Sequence, residues 1–166
     1  LDNIESSICC QARALRGLCL EKVSQVTAEL NLANRGLTCW LVCRREGPPW
    51  SGWPSRPERG TGAGEGLNRN FPLPPGTGDD AYLAALDRAL ALIADFDPAY
   101  LVVSAGLDIY GADPLGDWDI TQAGITRVGA RIAAAGRPTL LVQEGGYNLA
   151  ALGANTRRLL EPFATG

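Results

Sequence analysis

A parallel α/β layer is the architecture this sequence predicts, and three observations predict it. Two short apolar stretches, Tyr100–Ala105 (YLVVSA) and Thr139–Gln143 (TLLVQ), have the composition of strands buried on both faces. Between them Ile125, Val128 and Ile132 recur at helical spacing, so a helix separates the two strands. Each strand leads into a glycine-containing loop and then a helix, and strand–loop–helix repeated in this way is the βαβ arrangement of a parallel sheet.

The elements follow in order. From Gln11 to about Asn34, the positions Leu15, Cys19, Val23, Val26 and Leu30 recur as on one helix face, and Gly36 can end that helix. Leu37–Cys43 (LTCWLVC) reads as a short strand, and REGPPWSGWPSRPERG after it is too rich in Pro and Gly for regular structure. The run GTGAGEG, residues 60–66, resembles a phosphate-binding loop only in composition. No clear strand leads in and PLPP leads out, so it reads as a loop feeding a strand-like segment. Leu83, Leu86, Leu90 and Ile93 mark a helix that Asp79 or Asp80 can cap, Thr121 can cap the helix of Ile125, and a third helix runs from about Leu149 to Leu160.

Composition divides the chain near Gly60. Residues 1–59 hold eight Lys and Arg against six Asp and Glu, while residues 60–166 hold seven against twelve. All five cysteines and three of the four tryptophans lie in the first part, so we read residues 1–59 as an atypical N-terminal segment and 60–166 as an α/β unit. The overall charge of −3 gives no reason to expect nucleic acid as a partner. No run of 18 apolar residues is present, which argues against a membrane span. The opening LDNIESSICCQARALRGLCLEKV lacks the order of a secretory signal, and the odd cysteine count suits reduced thiols; both predict a cytoplasmic protein. Cys39 and Cys43 have no second close Cys pair and no histidine to complete a metal site, so they read as incidental thiols.

In open parallel sheets, sites gather in the loops past the carboxyl ends of the strands. Two loops qualify: Gly106–Asp119 (GLDIYGADPLGDWD) and Glu144–Asn148 (EGGYN). Asp108 follows a strand and a glycine, where a carboxylate can bind a cation, although Asp108 or Asp113 can equally hydrogen-bond loop amides. Gly145 and Gly146 let the backbone approach a ligand, and Tyr147 after them can either donate a hydrogen bond to a developing oxyanion or pack over the sheet edge.

Three segments carry a specific resemblance: Gly64-Glu-Gly-Leu-Asn-Arg-Asn-Phe-Pro-Leu-Pro74, Ser104-Ala-Gly-Leu-Asp-Ile-Tyr-Gly-Ala-Asp-Pro-Leu-Gly116 and Gln143-Glu-Gly-Gly-Tyr-Asn148. In this order they resemble signature segments of the zinc-dependent histone deacetylase and acetylpolyamine amidohydrolase family, over about residues 60–163. The match looks nearer to the bacterial acetylpolyamine amidohydrolase and class II-like branch than to class I histone deacetylases. The resemblance implies part of a three-layer sheet of the arginase/deacetylase type with helices on both faces. It implies Asp108 as a Zn²⁺ ligand, Gly145 and Gly146 as a substrate loop, and Tyr147 as the catalytic group that polarises the acyl carbonyl. The implied substrate is an acetylated amine, either a small molecule or acetyl-lysine in a protein. The implied chemistry is hydrolysis assisted by a zinc ion that polarises the acyl oxygen and acidifies a bound water.

One departure from the family weighs heavily: the chain contains no histidine. The family's Asp-x-His ligand segment and His-His acid/base pair belong upstream of GTGAGEG, and residues 1–59 show neither. The zinc site is therefore incomplete in this sequence. The expected chain is a deacetylase by descent, truncated or degenerate and inactive alone; the competing reading is a non-enzymatic interaction module on the same scaffold. Fourteen Arg to one Lys suggests GC-rich coding, in which shifted frames yield segments like REGPPWSGWPSRPERG, so rearrangement, degeneration and an out-of-frame reading all stay open for residues 1–59. Sequencing the coding DNA tests this: a shifted upstream frame encoding Asp-x-His and His-His supports descent from a complete enzyme, and no such frame supports the interaction module.

Overall fold

Short connections fix the relative direction of neighbouring strands. The computed structural model describes residues 27–32, 37–45 and 68–164. Strands β1 (Thr27–Leu32) and β2 (Leu37–Arg45) are adjacent in sequence and pair antiparallel, as so short a connection requires. Strand β3 (Asn68–Leu73) lies parallel to β2. Helix α1 (Asp79–Phe96) then leads to β4 (Leu101–Ala105), and helix α2 (Gln122–Ala133) carries the chain across to β5 (Thr139–Gln143), parallel to β4. Helix α3 (Leu149–Ala164) follows. The 5-stranded sheet has the order β3-β2-β1-β4-β5.

The α/β class and the parallel β4–β5 pair are as the sequence predicts. The sheet as a whole is mixed, because β1 runs antiparallel to both β2 and β4. Thr27–Leu32 is a strand where the apolar spacing predicts the end of a helix. Ala28, Leu30 and Leu32 also alternate at the period of a strand, and over so few residues pairing partners decide between the two. The rest of that expected helix, most of the Pro- and Gly-rich stretch, and GTGAGEG lie outside the described residues.

The core sits between β4 and the helices. Leu101 and Val103 of β4 are buried with Tyr82, Leu83, Leu86 and Ile93 of α1 and Ile125, Val128 and Ile132 of α2. The rings of Tyr82 and Trp118 meet edge to face at a centroid distance of 5.7 Å, which anchors the loop after β4 on α1. Helix α1 packs against β2 and β3, while α2 and α3 pack on each other. β5 corrects an expectation: among the described residues it is the edge of the sheet and only partly buried, with Leu140 55% exposed. Its apolar run resembles that of a two-sided core strand because the run records hydrophobicity and not the position in the sheet.

Capping also differs in part from the sequence reading. Thr121 caps α2 as predicted, its hydroxyl oxygen accepting from the Gly124 amide at 2.9 Å. Helix α1 has Gly78 at its N-cap, with no side-chain cap bond. Asp79 serves the other helix instead: its carboxylate accepts from the Thr121 amide at 2.8 Å and the Thr121 hydroxyl at 2.7 Å. Asp79 thereby joins the starts of two helices 42 residues apart in sequence.

The α2–α3 contact rests on Gly129, where an added Cβ would stand 2.2 Å from the Leu159 carbonyl oxygen. Gly153 on α3 has open space at the same position. One substitution should therefore act with opposite signs: Gly129→Ala destabilises by about 1–3 kcal/mol through overpacking, whereas Gly153→Ala stabilises by about 0.5–1 kcal/mol through helix propensity. Urea denaturation of both variants measures this.

Candidate active site

The parallel pairing of β4 and β5 places the loops that follow them at the same end of the sheet. The pairing extends past the strands: the Glu144 amide donates to the Ala105 carbonyl at 3.0 Å, and the Leu107 amide to the Gly145 carbonyl at 2.8 Å. The chain after β4 winds into a 3-10 turn, Leu107–Ile109, and that turn carries Asp108 into the interior at 6% exposure. Two glycines make room for it. An added Cβ on Gly145 would lie 2.5 Å from Asp108 Oδ2, and one on Gly116 would lie 1.8 Å from the Asp108 carbonyl oxygen.

Asp108 Oδ1 is buried with no hydrogen-bond partner. Leaving a buried acceptor unpaired costs about 1–3 kcal/mol, so this oxygen is poised for a proton or a cation. Burial pushes the carboxyl up from 3.8 to about 6; a hydrogen bond from its own backbone opposes this, and the negative charges of Asp113 and Glu144 add to it. A bound cation would reverse the direction, because it favours the ionised form.

Asp113, in the same loop, behaves differently. Asp113 Oδ1 accepts from the Leu115 amide at 3.0 Å, and its Oδ2 accepts from the amides of Tyr147 at 2.7 Å and Asn148 at 3.0 Å. Of the two roles open to aspartates here, Asp113 takes the amide-bonding one, and Asp108 leaves an oxygen free.

The EGGYN segment is shaped by its two glycines. Gly145 is needed for the close approach of the Asp108 carboxylate, and Gly146 has a φ of 135°, which favours glycine. Tyr147 follows at 50% exposure. Asn148 is a residue the sequence reading passed over. Its side-chain oxygen accepts from the Ala151 amide at 3.1 Å at the start of α3, and its Nδ2 donates to the Ala112 carbonyl at 2.8 Å. The signal for it was an Asn directly before a helical pattern.

Among the described residues no three His, Cys, Asp or Glu side chains converge as a metal-binding group. Asp108 fits as one oxygen ligand by its unpaired, buried atom. The oxygens of Asp113 are committed to backbone amides. The described residues therefore supply one donor and not a full zinc site.

With this geometry, comparison with known proteins defines the class. The histone deacetylase domain family matches residues 47–162, and the chain belongs to that family. It is 45% identical over 106 residues to acetylpolyamine amidohydrolase 1 of Pseudomonas aeruginosa, an overlap of 64% of this chain and 31% of that protein. It is 32% identical over 139 residues to histone deacetylase 15 of Arabidopsis thaliana, covering 81% of this chain and 25% of that one. The crystal structure of acetylpolyamine aminohydrolase from Burkholderia pseudomallei superposes with a TM-score of 0.62 at 40% identity, over 64% of this chain and 31% of that one. The chain thus spans about a third or less of the length of these relatives.

Asp108 gives the site a pH signature. Between 3.8 and about 6 the folded chain binds a proton at Asp108 that the unfolded chain releases, so the contribution of this group to stability is most favourable at the acid end of that window and falls as pH rises toward 6. Denaturation at pH 4 and pH 6.5 should show this contribution falling by roughly 1–3 kcal/mol, and Asp108→Asn should abolish it.

Proposed function

We propose that this chain carries the carboxylate-and-tyrosine part of a deacetylase active site, built to hydrolyse the amide of an acetylated amine such as acetyl-lysine or an acetylpolyamine. The observation that carries the reading is the buried, unpartnered Oδ1 of Asp108, seated against Gly145 of the neighbouring loop. A buried carboxylate oxygen without a donor is costly unless a ligand completes it. The names of the relatives support the substrate class, since they are acetylpolyamine amidohydrolases and histone deacetylases.

In this reading Asp108 supplies one ligand oxygen to zinc, the metal that the family resemblance implies. Tyr147 supplies the phenol that donates to the acyl oxygen as it gains negative charge; one such donor is typically worth about 10²–10³ in rate. Gly145 and Gly146 leave the backbone bare beside the carboxylate, where a substrate can pass. With no histidine in its 166 residues, the chain offers neither a nitrogen ligand nor the usual base near neutral pH. The single donor among the described residues does not make a complete zinc site, so the chain by itself is inactive, in a cytoplasmic setting.

The interaction-module reading predicts the same inactivity, and metal analysis with mutagenesis separates a partial site from a complete one. Purified chain incubated with Zn²⁺ at neutral pH should retain no stoichiometric zinc and should not hydrolyse acetyl-lysine or acetylpolyamine substrates. Loss of a base alone removes about 10²–10⁴-fold of rate, and Tyr147→Phe should be indistinguishable from the parent. Zinc-dependent turnover abolished by Tyr147→Phe would overturn the inactivity.

A further inference from the structure

Between Gly145 and the start of α3 the chain is held at a few definite points. The Gly145 carbonyl is tied by the Leu107 amide, and Asn148 caps α3. Between these anchors stand Gly146, with φ at 135°, and Tyr147, half exposed. Leu149, immediately after, is 82% exposed and packs little. Gly146 is packed closely against Leu107 and Leu152, but the exposed side chains of Tyr147 and Leu149 bury little surface that could hold the backbone carrying the phenol.

The bond that does fix it comes from the other loop. Asp113 is buried, and its own amide is held by the Tyr110 carbonyl at 2.8 Å. Its Oδ1 is engaged locally, by the Leu115 amide two residues on, a turn that many loop aspartates make. Its Oδ2 does something a turn does not require. It accepts both the Tyr147 and Asn148 amides, 34 and 35 residues away, as two charge-assisted bonds on one oxygen. Asn148 Nδ2 adds a third bond by donating to the Ala112 carbonyl, so the Tyr147 loop supplies the donors and the Asp113 loop the acceptors of all three.

We propose that Asp113 is the positioning residue for Tyr147: its carboxylate sets the backbone from which the phenol projects, and so couples the phenol to the loop that carries Asp108. The role assigned to the phenol rests on the deacetylase reading; the placement of the backbone does not.

The test uses the full ¹⁵N-labelled chain, without metal or substrate, as parent, Asp113→Asn, Asp113→Ala and Tyr147→Phe. Asp113→Asn keeps the shape but has one carbonyl oxygen for two sets of donors, and its NH₂ faces whichever set that oxygen does not serve. Amide hydrogen exchange at Tyr147 and Asn148 should quicken by about tenfold to a hundredfold in Asp113→Asn, the loss expected for charge-assisted bonds. Residual dipolar couplings should show the Tyr147 N–H vector reoriented, with β4 and α2 unchanged. Asp113→Ala should show the same or more; if it fails to fold, the isosteric variant still decides. Tyr147→Phe should match the parent, because the bond is to the backbone. Parent-like exchange and couplings at Tyr147 in Asp113→Asn would overturn the proposal, as would changes spread evenly over α2 and α3, which mark a general loss of stability. Because no turnover is measured, an inactive chain leaves this proposal standing, and its failure leaves the deacetylase reading untouched.

Discussion

The parallel pairing of β4 with β5 is the constraint on which the rest of the structure depends. Parallel neighbours send their chains out at the same end, so the Asp108 loop and the Tyr147 loop can meet only because those strands run together. The register carries on beyond the strands through the bonds from Glu144 to Ala105 and from Leu107 to Gly145. An antiparallel arrangement would have put one loop at each end of the sheet. Helix α2 makes the parallel crossover possible, and its contact with α3 through Gly129 seats the helix that begins right after Asn148.

Around that frame Asp108 and Asp113, two of the four aspartates of one loop, divide two opposite tasks. Asp113 has both oxygens satisfied by backbone amides, and its charge is spent on holding structure. Asp108 keeps an oxygen unpaired in a buried place, and burial drives its carboxyl up to about 6. The negative charge of Asp113 adds to that rise, so the structural carboxylate makes its neighbour harder to ionise without a cation. In the deacetylase reading proposed for this family member the asymmetry leaves Asp108 as the oxygen donor, and the absence of histidine from the chain limits how far that reading extends.

Where the sequence was legible, the signal was local. The strands at 101–105 and 139–143, the helical faces of Leu83–Ile93 and Ile125–Ile132, and the Thr121 cap each follow from a few neighbouring residues. Where it misled, the deciding partner was distant in sequence. Thr27–Leu32 fits two periodicities, and its pairing with β2 and β4 selects the strand. Asp79 looked like a cap for its own helix, yet the nearness of Thr121, 42 residues on, turned its carboxylate to the start of α2. The exposure of β5 could not be read from TLLVQ, because hydrophobicity does not say which strand is last in a sheet.

The sequence by itself determined the α/β class and the family segments, because spacing and motif are properties of the chain alone, and it singled out Asp108, Gly145, Gly146 and Tyr147 as candidates. The tertiary structure alone decided which aspartate keeps a free oxygen and which one laces the loops together. Both lie in the same short loop and are the same residue type. What separates them is the set of amides each meets across the fold: Leu115, Tyr147 and Asn148 for Asp113, and the bare Gly145 backbone, with no donor to Oδ1, for Asp108.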